Sequence, residues 1–177
     1  MSLTKKDKEE IAKIVVDTIT TMQLGAKAIE EGNKNFDLEQ LDKKWRQNGI
    51  KSETTGLIIA PEDVEIDGKT EFTWDEAMAL EKEGKIPEGW RLPTRHEWTL
   101  IAEEFGQNEN GELRGDVLDP RLNLKKDSDG DYYGRYWSST AYSSAAYAYY
   151  LTYHTTFVYP QNYYNKYNGF NVRCVAV

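Results

Sequence analysis

All 12 tyrosines of this 177-residue chain lie between Tyr132 and Tyr167, with none in the first 131 residues. That partition constrains the fold more than any other feature. Residues 1–131 carry most of the charge and nearly all the helix signals. Residues 132–177 are rich in Tyr, Ser, Thr, Asn and Ala, and their charged side chains are Arg135, Lys166 and Arg173. Helices followed by a run of short strands predict segregated layers, the α+β class.

The helical half opens with an apolar stripe. Ile11, Ile14, Val15, Ile19, Met22, Ala26 and Ile29 recur at three- and four-residue spacing and predict a helix over residues 5–31, stopped by Gly32. Asp37 with Gln40 reads as a capping box for a second short helix. Leu38, Leu41 and Trp45 face inward there, and Gly49 closes it. Residues 1–52 are thus expected to be a helical segment ahead of a domain at 53–177. The stripe is expected to pack on the chain's own domain in a monomer, because Gly25 and Gly32 interrupt it and its heptad register is not strict. An oligomerisation helix is the alternative.

Two strand-like runs follow, Leu57–Ala60 and Val64–Ile66, and then an Asp67-Gly68 turn. Thr73–Glu76 and Thr94–Glu97 are both T-x-x-E capping boxes, in which the threonine hydroxyl takes a backbone N–H and the glutamate reaches back. The first opens a helix with apolar Ala77, Met78 and Leu80, ended by Gly84. The second opens one whose inner face is Trp98, Ile101, Ala102 and Phe105, with Gly106 as its C-cap. Residues 106–134 read as loop. Strands are expected at Tyr136–Thr140, Tyr147–Tyr153, Phe157–Tyr159 and Phe170–Val177, with a turn over Gln161–Gly169. The last strand alternates Phe170, Val172 and Cys174 against Asn171 and Arg173, which predicts one buried face.

Several function classes are disfavoured. A net charge of -8 argues against nucleic acid as the main partner. No apolar run approaches the ~20 residues of a membrane helix, and the N-terminal residues lack the apolar core of a secretory signal. A single cysteine, Cys174, leaves no internal disulfide and no cysteine-pair site; on the apolar side of its strand it reads as a buried structural thiol. Asp127, Asp129 and Asp131 could offer carboxylates to calcium, but without a distal glutamate D-S-D-G-D reads as an Asp/Gly turn. His96 and His154 have no acid or second histidine at a catalytic spacing. No catalytic site, metal or cofactor is expected.

The tyrosine-rich stretch remains. Tyrosine offers a large flat contact area, few torsions and one polar handle. Mixed with Ser, Ala, Thr and Asn, it has the composition of a binding loop.

Three ordered blocks carry a resemblance: G-W-R-L-P-T-R-H-E-W at Gly89–Trp98, G-R-Y-W-S-S-T at Gly134–Thr140, and N-G-F-N-V-R-C-V at Asn168–Val175. Over about residues 55–177 the chain resembles C-type-lectin-fold proteins of the formylglycine-generating-enzyme-like branch. Within that branch it is similar to the variable proteins of phages and bacteria diversified by retroelements. The resemblance implies a C-type-lectin-like domain with two capped helices and short antiparallel strands, and a variable region at about 135–175. Adenine mutagenesis of Asn codons (AAC) in such systems yields Tyr, Ser, Thr, Ala, His, Phe or Asp among others, but not Lys, Glu, Gln, Met or Trp. Tyr142, Ala145, Ala146, Tyr147, Tyr153, His154, Phe157, Tyr159, Tyr163, Tyr164 and Tyr167 are all reachable this way and form the expected variable ligand-binding set. Tyr136, Trp137, Tyr149, Tyr150 and Leu151 are expected to be scaffold. The branch's enzymes use a cysteine pair, and the wider fold's sugar lectins use E-P-N or Q-P-D with W-N-D; this chain has neither. The implied function is metal-free binding of a protein or cell-surface target, on a virion or in the cytoplasm before assembly. An undiversified lectin-like adhesion or structural domain is the alternative, and a formylglycine-generating-type enzyme the remoter one.

Overall fold

A computed structural model describes residues 5–126 and 129–177, with the side chains of residues 5–8 and 31–36 outside the description. Helices and antiparallel strands are segregated along the chain, the α+β class expected. The chain divides into two compact units, one ending at Gln40 and one spanning Leu41–Val177.

Helix α1 runs unbroken over Lys5–Asn48, where two helices were expected. A helical glycine costs only about 1 kcal/mol relative to alanine, so Gly25 and Gly32 do not stop it. Asp37 is therefore an interior residue rather than an N-cap. Every described side chain from Glu9 to Glu30 is exposed, Ile11, Ile14, Val15, Ile19, Met22 and Ile29 included. At the other end of α1, Trp45 is buried, edge-on to Trp90 at 5.0 Å, and its indole N–H donates to Glu62. Gly49 closes the helix as expected, its N–H donating to the Trp45 carbonyl. A Cβ at Gly49 would stand 2.6 Å from the Ile59 carbonyl, so only glycine admits the strand that crosses there.

The first sheet is small: β1 (Ile50–Lys51), β2 (Ile58–Ile59) and β6 (Val175–Ala176), antiparallel in the order β1-β2-β6. The second comprises β3 (Tyr133–Ala141), β4 (Tyr147–His154) and β5 (Phe157–Asn165), antiparallel in sequence order. Between β2 and β3 lie the Asp67-Gly68 turn and the two capped helices. Both turn residues have positive φ, 52° and 78°, and Ile66 pairs with Lys69 across them, as a type I′ turn requires.

Helix α2 (Trp74–Ala79) and helix α3 (Arg95–Gly106) each start with a complete capping box. In α2, Ala77 and the C-capping Leu80 are buried, but Met78 is exposed, and the helix stops before Gly84. In α3, Trp98, Ile101, Ala102 and Phe105 are all buried as the 3.6-residue period predicts; Gly106 is its last residue and Gln107 the cap.

Two apolar clusters form the core. One gathers Trp45, Phe72, Trp90, Trp137, Tyr150 and Phe170. The other packs Trp98, Ile101 and Phe105 of α3 on Tyr136, Leu151 and Tyr153 of the large sheet. The segment 170–176 threads between them, with backbone bonds to Phe72, Val64, Ala60 and Arg91. Here the expected single buried face is corrected: Asn171 and Arg173 are buried too. Arg173 is 1% exposed. Its guanidinium donates to the Asp63 carboxylate (2.8 and 2.6 Å) and to the carbonyls of Ala60, Leu122 and Asn123. A buried charge is tolerable only with its donors answered in this way.

Candidate binding surface

Strand geometry sorts the tyrosines. Side chains alternate across a strand, and directly paired residues share a face. Tyr147, Tyr149, Leu151 and Tyr153 of β4 project toward the face that α3 covers. Ala148, Tyr150, Thr152 and His154 project to the opposite face, called here the outer face; its middle, at Ala148, Tyr150 and Trp137, is buried with Phe170 in the first core cluster, and its ends reach solvent. The pairing carries this sorting across the sheet: Tyr163 pairs with Tyr149 on the α3 side, and Tyr159 pairs with Thr152 on the outer side. In β5 a register shift near Pro160 keeps both rows aligned.

On the α3 side four rings form one cluster beyond the N-terminus of the helix. Tyr142 stacks on Tyr163 with centroids 4.1 Å apart; Tyr149 lies edge-on to Tyr142 at 5.2 Å, and Tyr147 edge-on to Tyr163 at 6.2 Å. The Arg95 guanidinium lies 4.5 Å from the centre of the Tyr149 ring. Its position follows from the capping box, which sets Arg95 in the first turn of α3.

The outer face carries a second group. Phe157 stacks between His154 (5.5 Å) and Tyr159 (4.7 Å). Arg135 pairs with Thr152, and its guanidinium lies 5.6 Å from the centre of Tyr133 and 5.5 Å from that of Phe170. Tyr164, opposite Ala148, packs on Phe170 at 5.9 Å. Burial and the neighbouring phenols push the Tyr150 hydroxyl up from its ordinary pKa, against the pull of Arg135, so it acts as a neutral donor and acceptor.

The expected variable positions therefore fall in several places. Tyr142, Tyr147 and Tyr163 meet on the α3 side; His154, Phe157, Tyr159 and Tyr164 lie on the outer face. Ala145 and Ala146 are exposed in the β3–β4 turn, and Tyr167 is 83% exposed in the turn after β5. An open groove of about 410 Å³ at that end is lined by Tyr147, Tyr164, Asn165, Tyr167 and Asn168. Another of about 460 Å³ is lined by Tyr159, Pro160, Gln161 and Asn162.

Tyr153 does not belong to this surface. It is 0% exposed, stacks on Tyr136 at 6.0 Å, and donates its hydroxyl proton to the Lys125 carbonyl. Burial, with the Tyr136 and Asp63 charges, pushes its pKa far above that of free tyrosine. Gly134, the paired position on β3, is a glycine because a Cβ there would meet the Tyr153 hydroxyl at 2.3 Å. Conversely, Tyr149, expected to be scaffold, is half-exposed within the α3-side cluster. Its spacing of two from Tyr147 is the signal for it. Tyr136, Trp137, Tyr150 and Leu151 are buried, as scaffold should be.

The other chemistry-bearing side chains are dispersed. His96 is exposed in the first turn of α3. His154 ends β4 rather than lying in a turn, and its Nδ1 is buried with no hydrogen-bond partner among the described residues. Cys174 is fully buried, and burial, opposed by Arg173, pushes its thiol up to about 12. Asp127 lies outside the described residues; Asp131 accepts from the Thr155 hydroxyl, and Gly130 turns the chain at φ 85° into β3. Among the described residues no group of three or more His, Cys, Asp or Glu is placed to hold a metal ion, and no helix is long and apolar enough to cross a membrane. Comparison with protein-family models, with curated proteins and with solved structures found no match to this chain.

Proposed function

We propose that residues 53–177 form a C-type-lectin-like domain whose large sheet displays a diversified, tyrosine-rich surface to a protein or cell-surface target. One observation carries the reading. Every position accessible to adenine mutagenesis of an Asn codon in the expected set, Tyr153 apart, reaches solvent, while Tyr136, Trp137, Tyr150 and Leu151 are buried in the same strands. A surface that changes freely must be separable from the core, and side chains at the sheet surface and in turns are separable because little packs on them. The two capped helices and short antiparallel strands support the lectin-like architecture. Binding is favoured over the branch's catalysis because Cys174 is buried and its thiol holds its proton at neutral pH.

The test is the DNA next to the gene. A near-copy of the codons for residues 135–175, differing only at adenines and adjacent to a reverse transcriptase gene, is expected. A locus with no such copy, and with these codons invariant between isolates, would leave an undiversified lectin-like domain instead.

A further inference from the structure

Three cations border the large sheet, and each rests on an aromatic ring. Arg95 lies on Tyr149, Arg135 on Tyr133 and Phe170, and Lys166 on Trp74 at 4.2 Å. Among the described residues none of the three makes an ion pair. Elsewhere Lys44, Lys69, Arg91, Arg114 and Arg173 all find carboxylates. Other cations, Lys43, Lys51 and Lys85 among them, also make no ion pair among the described residues; Arg95, Arg135 and Lys166 combine that with a place on an aromatic ring beside the sheet. The composition explains it: from Tyr132 to Val177 there is no Asp or Glu. That stretch supplies β3, β4 and β5, so the strands themselves carry cations and no carboxylate, with Asp131 at their edge bonded to the Thr155 hydroxyl.

Stacking on a ring fixes a cation without using its hydrogen bonds. A guanidinium lying over aromatic carbons keeps its edge donors free, and their fork matches a carboxylate. On the outer face, Arg135 sits in this state between Tyr133 and the row of Thr152 and Tyr159, and Lys166 follows directly on β5. Tyr133, Tyr159 and Tyr164 are all exposed there.

We propose that the exposed end of the outer face, where Arg135, Thr152 and Tyr159 lie side by side across the sheet, docks an acidic polypeptide segment, a carboxylate taken by Arg135 and its apolar side chains lying on Tyr133 and Tyr159. The inference rests on the display reading and narrows it to one partner chemistry. Tyrosine and arginine are the residue types that anchor protein–protein interfaces. One cation is too few to hold a nucleic-acid backbone against the molecule's net charge. Arg135 is not in the variable set.

A random peptide library panned against the full chain tests this, with soluble polygalacturonate as the anionic-carbohydrate probe. Enriched peptides should carry Asp or Glu beside apolar residues and should be displaced by salt. Their affinity should fall roughly tenfold on Arg135→Gln, the size of one charge-assisted hydrogen bond. Arg121→Gln, which removes the same charge from an exposed pair with Asp119, should leave affinity unchanged. Enriched peptides that lack acid yet depend on Tyr159 would overturn the acidic-partner inference and leave the display reading standing. Enrichment that is absent, or insensitive to Arg135→Gln, Tyr159→Ser and Tyr164→Ser alike, would sink both. Polygalacturonate bound as tightly as the peptides, and lost on Arg135→Gln, would make the occupant a carbohydrate and overturn the polypeptide.

Discussion

Tyr153 and Tyr167 are the same residue type, equally accessible to the same codon change, and they have opposite physical roles. Tyr153 projects under α3, stacks on Tyr136 and bonds to the Lys125 carbonyl. Tyr167 stands almost entirely in water. Replacing Tyr153 by alanine is expected to cost about 3–5 kcal/mol, the range for deleting a buried aromatic ring. Replacing Tyr167 by serine should stay within about 0.5 kcal/mol. Urea unfolding of the two variants checks this, and a Tyr167 variant as damaged as the Tyr153 one would place Tyr167 in the core. Codon logic alone could not separate them, because a residue's type does not say which way its strand faces. Even parity was insufficient: Tyr147, Tyr149 and Tyr153 share a face, and the packing of α3, Tyr136 and residues 118–125 over one end of it buries the last.

At the scale of elements, the local signals were the legible ones. Both T-x-x-E boxes formed because an N-cap is decided within four residues, and the inner face of α3 followed from its period. The misreadings came where a local stop signal was overridden. Gly32 and Asp37 read as a helix end and a new start, yet α1 continues through both. Pro160 and the polar residues after it read as the end of a strand, yet β5 passes Pro160 at a register shift and runs on to Asn165. The alternation in 170–174 was legible, but a segment running between two clusters has no solvent side. The α3 cap also makes a pH-dependent contribution. Arg91 bonds both Glu97 oxygens, at 2.7 and 2.8 Å, and the Thr94 N–H adds a third bond. Against the opposing effect of burial, these hold the Glu97 carboxyl below its ordinary 4.5. A carboxyl whose folded pKa is depressed contributes stability that is complete above its unfolded value and is lost as pH falls through the folded one. Glu97→Gln should therefore lower the melting temperature at neutral pH and converge with the parent only in acid, below the depressed folded pKa of Glu97. Parallel melting curves, offset equally at both pH values, would show that the cap stabilises through geometry alone.

For the whole molecule, the exposed stripe on α1 sets the last expectation. Ile11, Ile14, Val15, Ile19, Met22 and Ile29 are each about half exposed or more along a helix with charged residues on its other sides. The expectation of a monomer rested on Gly25 and Gly32 interrupting the stripe and on its loose heptad register, and α1 runs through both glycines. Large exposed apolar patches mark association surfaces, and burying such side chains between copies recovers about 25 cal/mol per Å² of apolar area. We therefore expect self-association, with light scattering giving a mass above the 20.4 kDa of one chain. Replacing Ile11, Val15, Met22 and Ile29 together by glutamine keeps helix propensity but removes the stripe. That variant should scatter as a single chain, while thermal unfolding of the Leu41–Val177 unit stays where it was. A parent chain that is already monomeric at high concentration would defeat the expectation, and so would a variant that stays associated. The outcome bears on function through avidity. A displayed surface that changes from copy to copy is not tuned to its target, and each site alone binds weakly. Joining several copies by their helices raises the effective concentration of the remaining sites once one has bound. A polyvalent ligand should then hold the associated parent far more tightly than the glutamine variant, although the two carry the same binding face.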